Sequence, residues 1–428
     1  QPSNSGLYQN MVEYNTQKNP GSLPADFGFN PNYRETLQKY PSLFPSTPSE
    51  QAPDVIAYVD PKFKMPQVWR SNLNVDIQLP YDFMLSVGAM YTRDIYNVAQ
   101  INMNEAEPTG VYNEQPDRIY WASKKYEYND YTNGKNVVVK LSNGEDKGYQ
   151  YSFNAILTKK YDFGFTGSIG YTYTMAKDLT ANPGSAPNSA WQNNVAVNSL
   201  NDPGVSYSLF STPHRIIANA SYEINYAKCL KTTFSLFYSG YHTGRYSYTY
   251  YNDMNGDGNY SDLIYVPNSQ DEMTFVDITD KSGAITYSAV DQAKDFWDFV
   301  NNDSYLKDRK GKYVERNGSL TPWINRFDFK IAQDFYATLG GRKYGIQVSL
   351  DMLNVGNMIN SKWGAYQSCG LKSYDNVQLL KTASKVGEPL TYQINANSRE
   401  AFKERSSWQY TNTIGSAWSM QLGVKVTF

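Results

Sequence analysis

The segment S-A-W-S-M-Q-L-G-V-K-V-T-F, from Ser416 to Phe428, alternates between two kinds of side chain. Apolar or aromatic residues occupy every second position from Trp418 to Phe428, and the residues between them are polar or small. Because side chains alternate between the two faces of a strand, the segment predicts a strand with one apolar face and one polar face. The apolar face can pack on the core of a soluble sandwich, or it can face lipid in an outer-membrane barrel.

The aromatic residue Phe428 at the end of this strand favours the barrel. A terminal Phe on an alternating strand resembles the signal that outer-membrane barrels present to their assembly machinery. The same alternation recurs on both sides of four short turns, so it predicts four hairpins. Their arms approach ten residues, the length of a tilted transmembrane strand. The predicted turns are Pro80–Asp82, Tyr161–Asp162, Asn225–Lys228 and Gly340–Gly341.

Long segments join one predicted hairpin to the next, at about residues 105–135, 177–212, 241–324 and 357–407. Such loops are uncommon in a compact soluble domain. Short turns at one end and long loops at the other are typical of a bacterial outer-membrane barrel, whose long loops are extracellular. The sequence therefore predicts an all-β, transmembrane antiparallel β-barrel with roughly ten to fourteen strands in this chain. Residues 1–62 are expected to be extracellular loop, and residues 63–428 to be barrel with its loops.

Composition argues against several other classes of protein. The 428 residues carry a formal net charge of −2, which does not suit a nucleic-acid-binding surface. No apolar run approaches the ~20 residues that a membrane-spanning helix needs. The two histidines are too few for a typical zinc site, and the two cysteines, Cys229 and Cys369, can be paired or free. No nucleophile, zinc-protease or phosphate-loop motif occurs, so we expect no enzyme.

One loop motif indicates a cation site. The run D-M-N-G-D-G-N-Y-S-D begins with the D-x-N-x-D-G pattern of a calcium loop, in which oxygen ligands wrap a hard cation. The bidentate glutamate of that pattern is missing, because Ile264 lies in its place. The alternative is a turn held by its own Asx hydrogen bonds, without a metal. The predicted structural Ca²⁺ ligands are Asp253, Asn255, Asp257, Asn259 and Asp262.

Two other loop features are predicted to pack rather than to bind a ligand. Residues 288–306 suggest a short helix capped by Ser288, with its apolar stripe at positions 289, 293, 296 and 300. A tyrosine cluster at positions 241, 246, 248, 250 and 251 could stack on sugars or peptides, but packing within the rim and loops is favoured.

Five segments, in order along the chain, carry a family resemblance. They are F-K-M-P-Q-V-W-R-S-N-L-N-V-D (63–76), S-T-P-H-R-I-I-A-N-A-S-Y (211–222), D-M-N-G-D-G-N-Y-S-D-L-I-Y-V-P (253–267), Y-V-E-R-N-G-S-L-T-P-W-I-N-R-F-D (313–328) and L-D-M-L-N-V-G-N (350–357). As a set they resemble the barrel of Oar-like TonB-dependent outer-membrane transporters of Bacteroidota, which are distantly SusC-like. The resemblance implies a barrel of about 22 strands, of which this chain is the C-terminal half.

The same resemblance implies a function. It implies an N-terminal plug and TonB box, and uptake energised through the TonB complex, of a substrate that the motifs do not identify. A surface lipoprotein is a further candidate partner, and outer-membrane lipid surrounds the barrel. In this interpretation, polar strand residues line the lumen, namely Asn72, Asn74, Asp76, Gln150, Asn154, Asp328 and Lys330.

Two other functions stay open at this point. The first is a self-contained passive channel of about 14 strands, without a plug. The second is a soluble or surface-anchored all-β carbohydrate-binding protein, in which tyrosine and tryptophan stack on sugars and the calcium loop supports them. Dependence on detergent separates this second alternative from both barrels.

Overall fold

The computed structural model describes residues 14, 17, 19–28, 30–44, 47, 55–128, 137–340, 342–369, 372–373, 376–395, 408–411 and 413–428. Gly341 of the fourth predicted turn lies outside these residues, as do parts of the predicted loops 105–135 and 357–407 and of the segment 1–62. Within the described residues, no helix has both the length and the apolar character needed to cross a membrane.

Strands are the dominant elements of the chain. In order they are β1 (Val55–Val59), β2 (Gln67–Leu79), β3 (Phe83–Tyr96), β4 (Ala99–Asn102), β5 (Gly110–Val111), β6 (Ile119–Tyr120), β7 (Val137–Ser142), β8 (Tyr149–Lys160), β9 (Phe165–Asp178), β10 (Ser206–Tyr207), β11 (His214–Tyr226), β12 (Leu230–His242), β13 (Arg245–Tyr250), β14 (Tyr265–Val266), β15 (Thr274–Phe275), β16 (Ile278–Thr279), β17 (Ile285–Tyr287), β18 (Lys312–Tyr313), β19 (Ser319–Leu320), β20 (Trp323–Leu339), β21 (Arg342–Leu353), β22 (Gln367–Cys369), β23 (Lys372–Ser373), β24 (Asn376–Thr382), β25 (Thr391–Ile394), β26 (Trp408–Tyr410) and β27 (Ser419–Thr427). The α-helices are α1 (Tyr33–Lys39), α2 (Pro187–Gln192), α3 (Ala289–Asn302) and α4 (Val355–Ile359).

Nine long strands form one antiparallel sheet, which we call the wall. Their order is β2-β3-β8-β9-β11-β12-β20-β21-β27, and the short strand β10 pairs with β9. Each wall strand therefore pairs with the next long strand along the chain, as expected for an up-and-down membrane barrel. The all-β fold with a large antiparallel sheet confirms the predicted fold class, and its nine long strands are one fewer than the smallest predicted number.

The predicted turns lie between paired wall strands. Between β2 and β3, Tyr81 and Asp82 have φ of 61° and 57°. Between β11 and β12, Ala227 and Lys228 have φ of 50° and 53°. Two successive residues in the left-handed region match the twist of a tight hairpin. The connections at this end of the wall are therefore short.

Pairing places the alternating apolar residues of all nine strands on one face. Leu73 and Leu422, at opposite edges of the wall, leave 68% and 72% of their surface exposed. A continuous apolar face of this size suits lipid rather than water. One row across this face runs Ile77, Leu85, Leu157, Ile169, Ala218, Tyr238 and Phe327.

Lys159 is a charged exception on the lipid face, and it lies at the short-turn end. Its Nζ is 4.9 Å from the ring centroid of Tyr161 and 3.7 Å from a carboxylate oxygen of Asp82. A lysine in this position can keep its ammonium group at the membrane surface while its aliphatic stem covers apolar side chains.

The long loops fold together at the opposite end of the wall. We call the described parts of residues 97–148, 179–213, 243–322 and 354–418 the loop cap. Its core includes Tyr248, Ile264, Phe296, Leu379 and Ile394, all at most 2% exposed. The predicted helix is confirmed as α3, and Ser288 Oγ accepts a hydrogen bond of 3.2 Å from the backbone N–H of Asp291.

The described part of residues 1–62 contains three elements that the sequence did not predict: α1, a 3-10 helix at Pro41–Leu43, and β1. β1 pairs in parallel with β7, and β4 completes a three-stranded sheet. Val137, Val139 and Trp191 form its small core together with α2 and the segment that follows it. The run V-I-A-Y-V is only five residues long, and its partner is far along the chain, so no local pattern revealed the pairing.

Candidate functional site

The predicted lumen residues all lie on the wall face opposite the lipid. Gly88 on β3 is paired with Asn74 on β2 and with Asn154 on β8. A Cβ at Gly88 would lie 2.5 Å from Asn74 Oδ1 and 2.7 Å from Asn154 Nδ2. The glycine therefore lets two amides meet over one strand. The other predicted residues on this face are Asn72, Asp76, Gln150, Asp328 and Lys330.

Charged side chains on the inner face are arranged in pairs of opposite sign. Lys330 Nζ lies 2.8 Å from a carboxylate oxygen of Asp351 on the next strand. Lys231 lies 3.5 Å from Glu223 and 3.6 Å from Asp334. The inner face is thus polar without a large net charge, which is the character of a wet lumen wall.

The calcium-type loop lies in the loop cap between β13 and β14. Asp253 accepts hydrogen bonds from the backbone N–H groups of Gly256 (2.7 Å) and Gly258 (2.9 Å). Both glycines have positive φ, 82° and 95°. A Cβ at Gly256 would lie 2.6 Å from the carbonyl oxygen of Trp121, so the tight turn requires glycine there.

The remaining predicted ligands fold back on the same loop. Asn255 Oδ1 accepts from the backbone N–H of Asp257 at 3.0 Å, and Asp257 Oδ1 accepts from that of Asn259 at 2.7 Å. Asp262 Oδ2 accepts from the backbone N–H of Met254 at 3.1 Å. The structure therefore brings all five predicted residues into one loop, and it also contains the Asx turns of the metal-free alternative.

Three carboxylates crowd this loop. Burial raises the pKa of Asp253. Burial, together with repulsion from Asp262 and Asp253, raises the pKa of Asp257 well above its usual value. Burial raises the pKa of Asp262 to about 7, although Arg118 opposes this shift. The negative charge of the loop is incompletely compensated by the side chains around it.

Arg118 is the buried cation of this region. It is 0% exposed, and its Nη1 lies 3.3 Å from Asp262 Oδ1. It also donates to Gln115 Oε1 at 3.2 Å and to the carbonyl oxygens of Val197 and Leu263. One guanidinium group therefore ties together three of the long loops. Sequence analysis missed Arg118, since an isolated arginine in a loop carries no motif.

The oxygen-rich loop fits a hard cation in its chemistry but only partly in its geometry. Among the described residues, no three Asp, Glu, His or Cys side chains are placed to hold a metal ion together. A cation would therefore need amide and backbone oxygens as well as carboxylates. The buried Nδ2 of Asn259 lacks a hydrogen-bond partner, and rotating this amide would place its oxygen there instead. The calcium site stays a prediction.

The tyrosine cluster is mainly part of the core of the loop cap. Tyr246, Tyr248 and Tyr250 are at most 3% exposed, and Tyr248 donates a 2.7 Å hydrogen bond to Asp303. Of the cluster, Tyr251 is 46% exposed. The three buried rings have no surface on which a sugar could stack, so the favoured packing interpretation holds for them.

Comparison with known proteins agrees with this architecture. A family model described as an outer membrane beta barrel domain matches residues 3–364, which is most of the chain. Searches of curated proteins and of solved structures gave no significant match. The lipid-facing and polar faces of the wall, its short turns and its long loops are the features expected of such a domain. The chain belongs to the outer membrane beta barrel domain family and is located in the outer membrane.

Proposed function

We propose that the chain is the C-terminal part of an Oar-like TonB-dependent transporter of Bacteroidota. In this proposal the loop cap binds a substrate, which then passes through the lumen when TonB displaces an N-terminal plug. The role is transport rather than catalysis, and a surface lipoprotein is a candidate partner on the outer side. The five resembling sequence segments support this choice of family within the outer-membrane barrels.

The observation that carries the proposal is the open, odd-numbered wall. β2 and β27 are the two edges of the wall, and among the described residues they do not pair with each other. Lipid cannot satisfy unpaired backbone groups, so these edges need further strands. In an antiparallel series of nine, the first and last strands run in the same direction. Direct closure would need a parallel pair, whereas bacterial single-chain barrels have even numbers of antiparallel strands. An odd number of additional wall strands resolves this. A barrel of 22 strands is one of the even totals that meet this requirement, and the five resembling sequence segments are what favour it.

The test is the protein purified from the outer membrane. We expect an intact mass about twice the 48.6 kDa of this chain or more, retention on immobilised periplasmic TonB domain, and no steady ion current in planar bilayers. A mass of 48.6 kDa with a steady current would instead establish the passive channel.

We also propose that the loop from Asp253 to Asp262 binds Ca²⁺ in a structural role. The crowded, buried carboxylates support this, because a divalent cation would relieve their repulsion. The cation would be held by the five predicted ligands and would brace the loop against its neighbours in the loop cap.

Calcium is therefore expected to raise the melting temperature of the wild-type loop cap but not that of the Asp257→Asn variant. Calcium at about a hundredfold excess over Kd adds roughly 2.7 kcal/mol of stability. The measurement is thermal unfolding with calcium or with chelator. Asp280→Asn is the matched control, because Asp280 also holds an Asx-type turn but is exposed. If millimolar calcium leaves the wild-type melting temperature unchanged, the loop does not bind calcium and is a turn held by its own Asx hydrogen bonds.

A further inference from the structure

A cleft lies between the β1–β7–β4 sheet and α2, beside the extracellular end of β9. Its volume is about 490 Å³, within the ~300–1,000 Å³ typical of small-ligand sites. Its lining comes from segments that are distant in sequence, and none of the five calcium-type ligands contributes to it. The cleft is therefore separate from the calcium-type loop.

The lining includes apolar side chains that are almost fully buried. Leu179, Trp191 and Leu200 line the cleft with at most 7% of their surface exposed. The indole N–H of Trp191 already donates to Asn201 Oδ1 at 3.0 Å. Leu179, the least buried of the three, can contact a hydrocarbon chain, whereas Trp191 and Leu200 pack behind it, and the indole has no spare donor for an anion.

The polar part of the lining is acidic. Four carboxylates line the cleft, and Lys140 is the single basic side chain among the lining residues that the structure describes. Lys140 lies 3.9 Å from Asp60. Glu145, Asp146 and Asp202, all exposed, have no basic partner in the lining itself. Two cations lie just behind it: Lys147 donates to the carbonyl oxygen of Gly144, and Arg316, which pairs with Asp178, donates to the carbonyl oxygen of Leu179. Carboxylates therefore stay in excess at the rim. Their field attracts cations and repels anions.

A buried hydroxyl group supplies an independent sign of a ligand. Ser142 lines the cleft, is 7% exposed, and its Oγ has no hydrogen-bond partner among the described residues. Leaving a buried hydroxyl unpaired costs free energy, which a bound donor group would recover. Asn97 Oδ1 is also buried without a partner, and it lies 3.2 Å from the position of a Cβ on the lining residue Gly144.

We propose that this cleft binds the basic side chain of an oligopeptide. The aliphatic stem of a lysine or arginine would contact Leu179, while its cationic head would face the rim carboxylates and donate to Ser142 Oγ once that hydroxyl turns into the cleft. The proposal deepens the proposed transport function, on which it rests for the peptide to be cargo. A bare metal ion fits less well, since the cleft is far larger than an ion. Moreover, no three acidic, His or Cys side chains of the described chain are placed to share one.

The test uses the full-length protein, purified from the outer membrane in detergent. The probes are a fluorescent lysine-rich peptide and the same peptide with acetylated lysines, which keeps the stem and removes the charge. Fluorescence anisotropy is expected to show binding of the first peptide and at least about tenfold weaker binding of the second. The Ser142→Ala variant is expected to bind the lysine-rich peptide about tenfold more weakly than wild type. It should still fold, because the Ser142 hydroxyl has no hydrogen-bond partner to lose.

The rim charges are tested separately. Glu145→Gln/Asp146→Asn is expected to weaken peptide binding by about fivefold and to reduce its salt dependence. The matched control is Glu107→Gln/Asp308→Asn, which removes two exposed carboxylates of the loop cap that do not line the cleft. Equal binding of the acetylated peptide, or equal affinities of the rim and control variants, would overturn the proposal.

Binding in detergent requires no energy source, so this experiment is independent of the transport test. Peptide binding with a mass of 48.6 kDa and a steady current would leave the cleft proposal standing and remove the TonB-dependent function. Retention on the TonB domain without peptide binding would support the TonB-dependent function and overturn the cleft proposal.

Discussion

Replacing Leu236 by arginine is expected to lower the free energy of unfolding in a lipid bilayer by about 2–4 kcal/mol. Leu236 lies at the middle of β12 on the lipid face, paired with Ala220 and Phe329, and is 42% exposed. An arginine there would place its charge near the bilayer midplane, where neither water nor a counter-ion can reach it easily. The measurement is reversible denaturant unfolding in vesicles. Leu422→Arg, on the same face of β27, is expected to behave alike.

The matched control is Ser235→Arg, one residue earlier on the same strand. Ser235 faces the lumen, where the residue paired with it is Lys330. Its substitution is expected to cost far less, because the lumen is wet and Asp351 lies close to Lys330. Equal decreases in the free energy of unfolding for Ser235→Arg and Leu236→Arg would show that the two faces of the wall are assigned wrongly.

Replacing Arg118 by methionine is expected to destabilise the loop cap by about 3–5 kcal/mol. The methionine would leave Asp262 buried without its cation, and the carbonyl oxygens of Val197 and Leu263 without their donor. Hydrogen exchange at the amides of β13 and β24, which pair in the core of the loop cap, would report the loss.

Two further variants separate the charge from the packing of Arg118. Arg118→Met/Asp262→Asn is expected to recover part of the stability, because the neutral amide no longer needs a counter-ion. Arg309→Met, in the same loop cap, is expected to cost less, because Arg309 is partly exposed and pairs with Glu315 at 3.4 Å. No recovery in the double variant would mean that the hydrogen bonds to the carbonyl groups, rather than the ion pair, hold the three loops.

The wall could be predicted from the sequence because its information is local. Alternation in β27 and in the hairpin β2–β3 gives the face of every residue, and tight turns fix the register of each pair. A strand at the lipid boundary must turn its apolar side chains towards lipid. The alternation in Leu73–Leu79 therefore predicts the same lipid-facing residues that the structure shows. The helix α3 was predictable for the same reason, from its cap and its apolar stripe.

The loop cap could be predicted only in part, because its contacts join residues that are distant in sequence. The five residues of the calcium-type loop are found together because a motif places them within ten positions. Arg118, by contrast, meets Asp262 only once two loops have folded against each other. The acidic cleft is likewise invisible in the sequence, because Asp60, Ser142 and Trp191 come from three separate segments.

The side chain of Gln115 has a consequence for the order of biogenesis. Its Nε2 donates at 2.9 Å both to Tyr250 OH and to Tyr392 OH, the second across 277 residues. Contacts of such separation are slow to form, because the intervening chain must be ordered first. The core of the loop cap can close only after the segment carrying Tyr392 has crossed the bilayer. Until then the tyrosines and leucines of this core lack part of their packing, so delivery of the segment between β21 and β27 is expected to be the committing step of folding.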